Sequence, residues 1–160
     1  NNILALFGIE GPSWLQSSKW AMPAIVLASV WKDMGYFGLM LMSGLQGINQ
    51  EYYDAAAIDG AGKIKQFTRI TLPLLTPTLF FVLIISLINS FQLFTQIMIM
   101  TPDGGPLGST MVMVERIYKC GFRYYEMGTA AAYSWILFAI LLLLTMVQMK
   151  LQNKWVNYDD

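Results

Sequence analysis

Glu51-Tyr52-Tyr53-Asp54-Ala55-Ala56-Ala57-Ile58-Asp59-Gly60-Ala61-Gly62, completed further on by Ile70-Thr71-Leu72-Pro73, is the stretch on which the reading of this chain turns. Asn49 stands before it with a side-chain oxygen able to accept a first-turn N–H, which predicts a short helix over residues 50–58. Alanine, the best helix former, fills its second half. Gly60 and Gly62 then permit a sharp turn into a second short helix ending near Ile70. Glu51, Asp54, Asp59, Lys63, Lys65 and Arg69 mark the segment as lying in water. Two short helices meeting at a glycine form a compact knob. Its alanines present a smooth face that fits a groove, and its acidic residue can pair with a partner's cation.

Outward from this loop the chain turns apolar. Of its 160 residues, 56% are hydrophobic and 12% charged, and the mean hydropathy of +0.49 exceeds that of an ordinary soluble domain. Residues 22–48 predict a first span, roughly 40 Å long as a helix. Pro23 lies in its first turn, and Trp14 and Trp20 precede it as interface anchors. Lys32 and Asp33 are costly within a span unless they face the bundle, pair, or snorkel to the headgroups. On the other side of the loop, Thr76 and Pro77 read as N-cap and first residue of a second span over residues 77–100. At 100° per residue, Asn89 and Gln96 fall on nearly one side of that span, flanked by Ser86 and Gln92. Two prolines and three glycines make residues 101–108 an irregular loop, and a charged, aromatic segment follows within an outer loop spanning residues 101–127. Residues 128–149 predict a third span, roughly 33 Å long, with Ala130, Ala131, Ala132 and Ser134 small enough for close helix contact. Lys150, Lys154, Trp155 and Tyr158 form an interfacial tail. The predicted fold class is an all-α membrane helical bundle.

Several functions are excluded. A formal net charge of zero gives nucleic acid no electrostatic footing. With no His and only Cys120, neither a multi-thiolate metal site nor a standard nucleophile and base constellation can be assembled, and no cofactor is expected. Gly60-Ala61-Gly62-Lys63 resembles the end of a phosphate-binding loop, but Ala57 and Ile64 stand where that motif needs Gly and Ser or Thr. ATP is therefore expected on a separate subunit. The loop cations Lys63, Lys65 and Arg69 balance Arg116, Lys119 and Arg123. Lys150 and Lys154 tip the count toward a cytoplasmic tail, and hence a cytoplasmic residue 50–73 loop.

An acidic residue, two alanines, three residues, a glycine, nine residues and Ile-x-Leu-Pro is a pattern that Asp54, Ala55, Ala56, Gly60, Ile70, Leu72 and Pro73 fill in register. It resembles the EAA signature of bacterial binding-protein-dependent ABC importer permeases, with Asp54 in place of the usual Glu and so one methylene less reach. Trp31-Lys32, Gly35, Gly104-Gly105-Pro106, Ser109-Thr110, Ile117-Tyr118, Phe122, Met127-Gly128, Ala130, Ala132, Val156 and Tyr158 are similar to the sugar-type branch of that family. The resemblance implies several things. The chain would be the C-terminal part of a multi-pass permease of the inner membrane. The residue 50–73 loop would be cytoplasmic and docked on ABC ATPase subunits. A second permease subunit and an extracytoplasmic solute-binding protein would complete the importer.

A hydroxyl-rich solute must exchange water for other hydrogen-bond partners, and amides supply both donors and acceptors. Asn89, Gln92 and Gln96, with Ser86 and Ser90 nearby, are therefore candidates to line its path, against the alternative that they join helices to one another. Tyr133 and Trp135 are secondary candidates for stacking on sugar faces, with interface anchoring the competing role. The competing functions are import of a non-sugar solute and membrane anchoring without transport.

Overall fold

The structure, a computed structural model, describes residues 6, 8, 11–152 and 156. Lys154, Trp155 and Tyr158 of the expected tail lie outside the described residues. Every regular element among the described residues is helical. The chain divides into two compact units, one of residues 1–32 and 90–139 and the other of residues 33–89 and 140–160.

Helix α1, Ala21–Gln46, closely matches the first predicted span, and α7, Met127–Gln152, the third. Both are long and apolar enough to cross a bilayer, with mean hydropathies of 1.3 and 2.2, and only 6% of each apolar window is buried within the chain. Such apolar flanks need lipid or neighbouring helices to cover them. Between them come α2, Gln50–Ile58, α3, Lys63–Leu74, and α4, Thr76–Phe91.

The second predicted span differs from the expectation at both ends. Pro73 does not terminate a helix, and Thr76 is not an N-cap. The chain stays helical through both, and α3 and α4 meet at Leu75 with a bend of 61°. The two prolines account for the bend, because neither has an N–H to give. Pro77 cannot donate to the Pro73 carbonyl, which instead accepts a backbone N–H at the helix end and the Thr76 hydroxyl, Oγ1 donating at 2.6 Å. Ahead of Pro73 the ladder widens to a π-turn over Phe67–Thr71, in which Leu72 N donates to the Phe67 carbonyl. Beyond Phe91 the rod also breaks, and α5, Thr95–Met100, begins after three non-helical residues. The break contains neither Pro nor Gly, but Asn89 and Ser90 just before it are weak helix formers.

In the unit holding the loop, α1 approaches the bend through Gly44. A Cβ there would stand 2.5 Å from Thr78 Oγ1 and 2.9 Å from the Leu75 side chain, so hydrogen is the only side chain this crossing admits. Leu75, Thr71, Thr76 and Phe80 are buried around it. In the other unit, α6, Met113–Tyr118, continues into a π-turn, Lys119–Arg123, whose Gly121 lies against Ala130 in the first turn of α7. Ala130 thus makes the close contact predicted for the small residues, whereas Ala131 and Ala132 are exposed.

Candidate functional site

Helix α2 begins and ends where its sequence predicts. The Asn49 side chain accepts from Glu51 N at 3.1 Å, and Gln50 Nε2 donates to Asp54 Oδ1 at 3.2 Å. At the other end Gly60 N donates to the Ala57 carbonyl at 3.0 Å and Ala61 N to that of Ala56 at 2.9 Å. These are the paired bonds of a Schellman stop. They require a left-handed residue between them, which Gly60 provides at φ +73°. The chain then reverses into α3.

Asp54 and Ala55 are exposed on α2 and Ala56 is half-buried, while Ile70, Leu72 and Pro73 lie at the far end of α3. One contact ties the two halves of the motif together: Tyr53 OH and Thr71 Oγ1 are 2.9 Å apart, with Thr71 buried. Tyr53 neighbours Asp54, and Thr71 stands between Ile70 and Leu72, so this bond links α2 to the segment that bends into α4. Sequence reasoning missed both residues. Their pairing spans 18 positions, and no local pattern marks it. The elbow also presents Ile58 and Ile64 at 88% and 83% exposure, apolar surface of the kind that marks an interaction face.

The polar residues of the second span divide differently from the prediction. Ser86 Oγ donates to the Leu83 carbonyl of its own helix at 3.0 Å. Asn89 and Ser90 are exposed near the end of α4, Gln92 is exposed in the break, and Gln96 is half-buried in the first turn of α5. The break interrupts the 100° step, so these amides do not form one continuous helical face. They instead flank an interruption in the apolar rod. Tyr133 is half-buried, and Trp135 is exposed with its ring edge-on to Phe138.

Within residues 101–127 the charged segment forms a short helix and a turn, and two of its charges are buried. Glu115 and Lys119 are buried, with Lys119 Nζ 3.0 Å from Glu115 Oε1 and 3.8 Å from Asp103 Oδ1. Arg123 pairs with Asp103 at the surface. Alongside, Tyr118 stacks on Phe122 with ring centroids 5.4 Å apart and meets Phe94 at a tilt, with centroids 5.2 Å apart. Thr110 Oγ1 donates to Thr101 Oγ1 at 2.9 Å, closing the turn that carries Gly104, Gly105 and Pro106. Three non-glycine residues here, Asp103, Leu107 and Tyr125, hold positive φ. Such strain persists only where surrounding contacts impose it, and the ion pairs at Asp103 are contacts of that kind. Among the described residues no group of His, Cys, Asp and Glu could hold a metal ion.

Residues 2–158 match the family described as binding-protein-dependent transport system inner membrane component. The chain is 35% identical over 162 residues to the probable ABC transporter permease protein YesP of Bacillus subtilis (strain 168), covering 100% of this chain and 52% of that protein. It is 37% identical over 151 residues to the sulfoquinovosyl glycerol transport system permease protein SmoG of Agrobacterium fabrum, covering 94% of this chain and 49% of the relative. The chain thus spans about half the length of the curated relatives it matches. Its fold is that of a chain in the crystal structure of a bacterial alginate ABC transporter in complex with an alginate pentasaccharide-bound periplasmic protein. That match has a TM-score of 0.85 at 24% identity and covers 96% of this chain and 54% of that one. The glycine-stopped elbow, the bent second span and these matches together establish that this chain belongs to the family of inner membrane components of binding-protein-dependent transport systems.

Proposed function

We propose that this chain forms part of the translocation path of an ABC importer for a sugar or related hydroxyl-rich solute, and couples that path to separate ATPase subunits through residues 50–73. The observation that carries the reading is the Tyr53–Thr71 hydrogen bond between the acidic-alanine helix and the base of α4. An ATPase holding α2 by Asp54, Ala55 and Ala56 displaces Thr71 as it closes, and Thr71 lies four residues before the bend at Leu75. Binding energy does the coupling, because a partner that grips α2 differently in two states shifts the equilibrium between the arrangements of α4.

The solute class is supported by relatives named for a glycosyl glycerol and an oligosaccharide. Asn89, Gln92 and Gln96 at the interrupted rod are suited to replace water around hydroxyl groups. In the inner membrane the elbow faces the cytoplasm, a solute-binding protein delivers cargo to the opposite face, and a second permease subunit completes the cavity.

The test is Gly60→Val in the full-length permease assembled with its partners. No atom of this chain lies within 4 Å of a Cβ at Gly60, so within the chain the substitution acts through the left-handed backbone. ATP hydrolysis should continue while uptake in proteoliposomes falls at least tenfold. Uptake in step with hydrolysis would refute coupling through the elbow, and an absence of uptake by the unsubstituted importer across a panel of sugars and polyols would refute the solute class.

A further inference from the structure

Helix α3 carries Lys63, Lys65 and Arg69, all exposed, and no charged residue follows Arg69 until Asp103. Arg69 is thus the last charge before the apolar rod. Two exposed apolar side chains, Ile64 at 83% and Phe67 at 54%, stand among these cations. Ile64 and Phe67 are three residues apart and share one side of the helix, whereas Lys65 and Arg69 are four apart and share another. Gly62, Lys63, Ile64, Lys65, Thr68 and Arg69 line an open groove along this surface.

The bend decides where the groove sits. With α4 crossing along the membrane normal, a helix inclined to it by 61° climbs only about 0.7 Å per residue along that normal. Its basic side chains then lie roughly 4 to 8 Å beyond the depth of Leu74, and the headgroup layer is about 5 to 7 Å thick on each side of the hydrocarbon. The helix runs along the membrane surface more than through it. Cations at headgroup depth beside an apolar pair are the pattern of an interfacial segment on an anionic membrane.

We infer that α3 is a docking site for anionic phospholipid headgroups, with Lys63, Lys65 and Arg69 holding the phosphates, Phe67 reaching toward the acyl boundary and Ile64 lying at headgroup depth. The inference rests on α4 being a membrane span and is independent of the coupling role of α2. Anionic lipid would then hold the elbow at a fixed height relative to the bilayer.

The test uses the full-length permease assembled with its partner subunits in lipid nanodiscs. A bimane fluorophore is placed at Ile64→Cys in a Cys120→Ala background, and quenching is compared between phosphatidylglycerol and phosphatidylcholine, each spin-labelled near the headgroup. Each cation is worth roughly fivefold in preference, so phosphatidylglycerol should be favoured by up to about a hundredfold. The triple variant K63Q/K65Q/R69Q should bring the ratio close to one, while the charge-retaining K63R/K65R variant should keep it. Equal quenching by the two lipids in the unsubstituted protein would overturn the inference. So would quenching that develops only after the ATPase is removed, since the groove would then belong to that subunit. Displacement of the lipid by millimolar glycerol phosphate would identify a free phosphate as the ligand and also overturn it. In the unsubstituted protein, no lipid preference with intact ATPase docking would refute this inference alone, and no ATPase docking with the preference present would refute only the coupling role.

Discussion

Replacing Lys119 by Met removes the cation that neutralises Glu115 and leaves that carboxylate buried. Glu115 is 2% exposed and Lys119 6%, and the 3.0 Å contact between them is the only ion pair described for Glu115. Its Oε2 already has no hydrogen-bond partner. A cavity of about 60 Å³ bordered by Glu115, Lys119, Tyr118 and Met98 has room for a water or two, which would soften the loss without cancelling it. Removing one member of a buried pair costs about 3–5 kcal/mol, whereas replacing both with apolar groups of similar volume is close to neutral. Lys119→Met should therefore lower the thermal midpoint of the purified full-length permease sharply. Glu115→Leu should cost less, because Lys119 keeps its 3.8 Å contact with Asp103 Oδ1, and the double variant should recover most of the Lys119→Met loss. The assay is thermal unfolding in detergent for all four proteins, read as a double-mutant cycle. A coupling energy below about 0.5 kcal/mol would show that the two side chains act independently and would refute the buried-pair reasoning.

Gly44→Leu should drive α1 away from Thr78 and Leu75, at a cost of about 1–3 kcal/mol for overpacking, and thermal unfolding of the purified permease should show it. Tyr53→Phe removes one half-buried hydrogen bond, worth about 1 kcal/mol, while leaving the ring in place. It should weaken the response of uptake to ATP more than it weakens ATPase binding; equal loss of both would place Tyr53 in the docking face instead. Asn89→Ala and Gln96→Ala should change solute affinity or selectivity in transport assays with assembly intact. Unchanged affinity and selectivity would assign the amides to helix contacts.

What could be read from the sequence was local. Asn49 and Gly60 fixed both ends of α2 because a cap and a left-handed stop each act within a few residues of the helix they bound. The apolar lengths of α1 and α7 were equally direct. Pro73 and Pro77 were visible, but their reading as a stop and a start overlooked the Thr76 hydroxyl, which keeps the helix running through the bend by serving the carbonyl that Pro77 cannot. The break after Phe91 carries no Pro or Gly and so had no sequence signal. Glu115 and Lys119 resembled surface charges because their burial depends on a loop whose Asp103 is 16 positions from Lys119. The Tyr53–Thr71 tie was hidden for the same reason, being created by the fold and not by neighbours in the chain.

The most direct test of the coupling reading is site-specific photocrosslinking from Ala56 in the assembled importer. Capture of the ATPase subunit at a yield that changes between ATP-bound and nucleotide-free states is the predicted result. Capture of no ATPase in either state, with the importer still active, would contradict it.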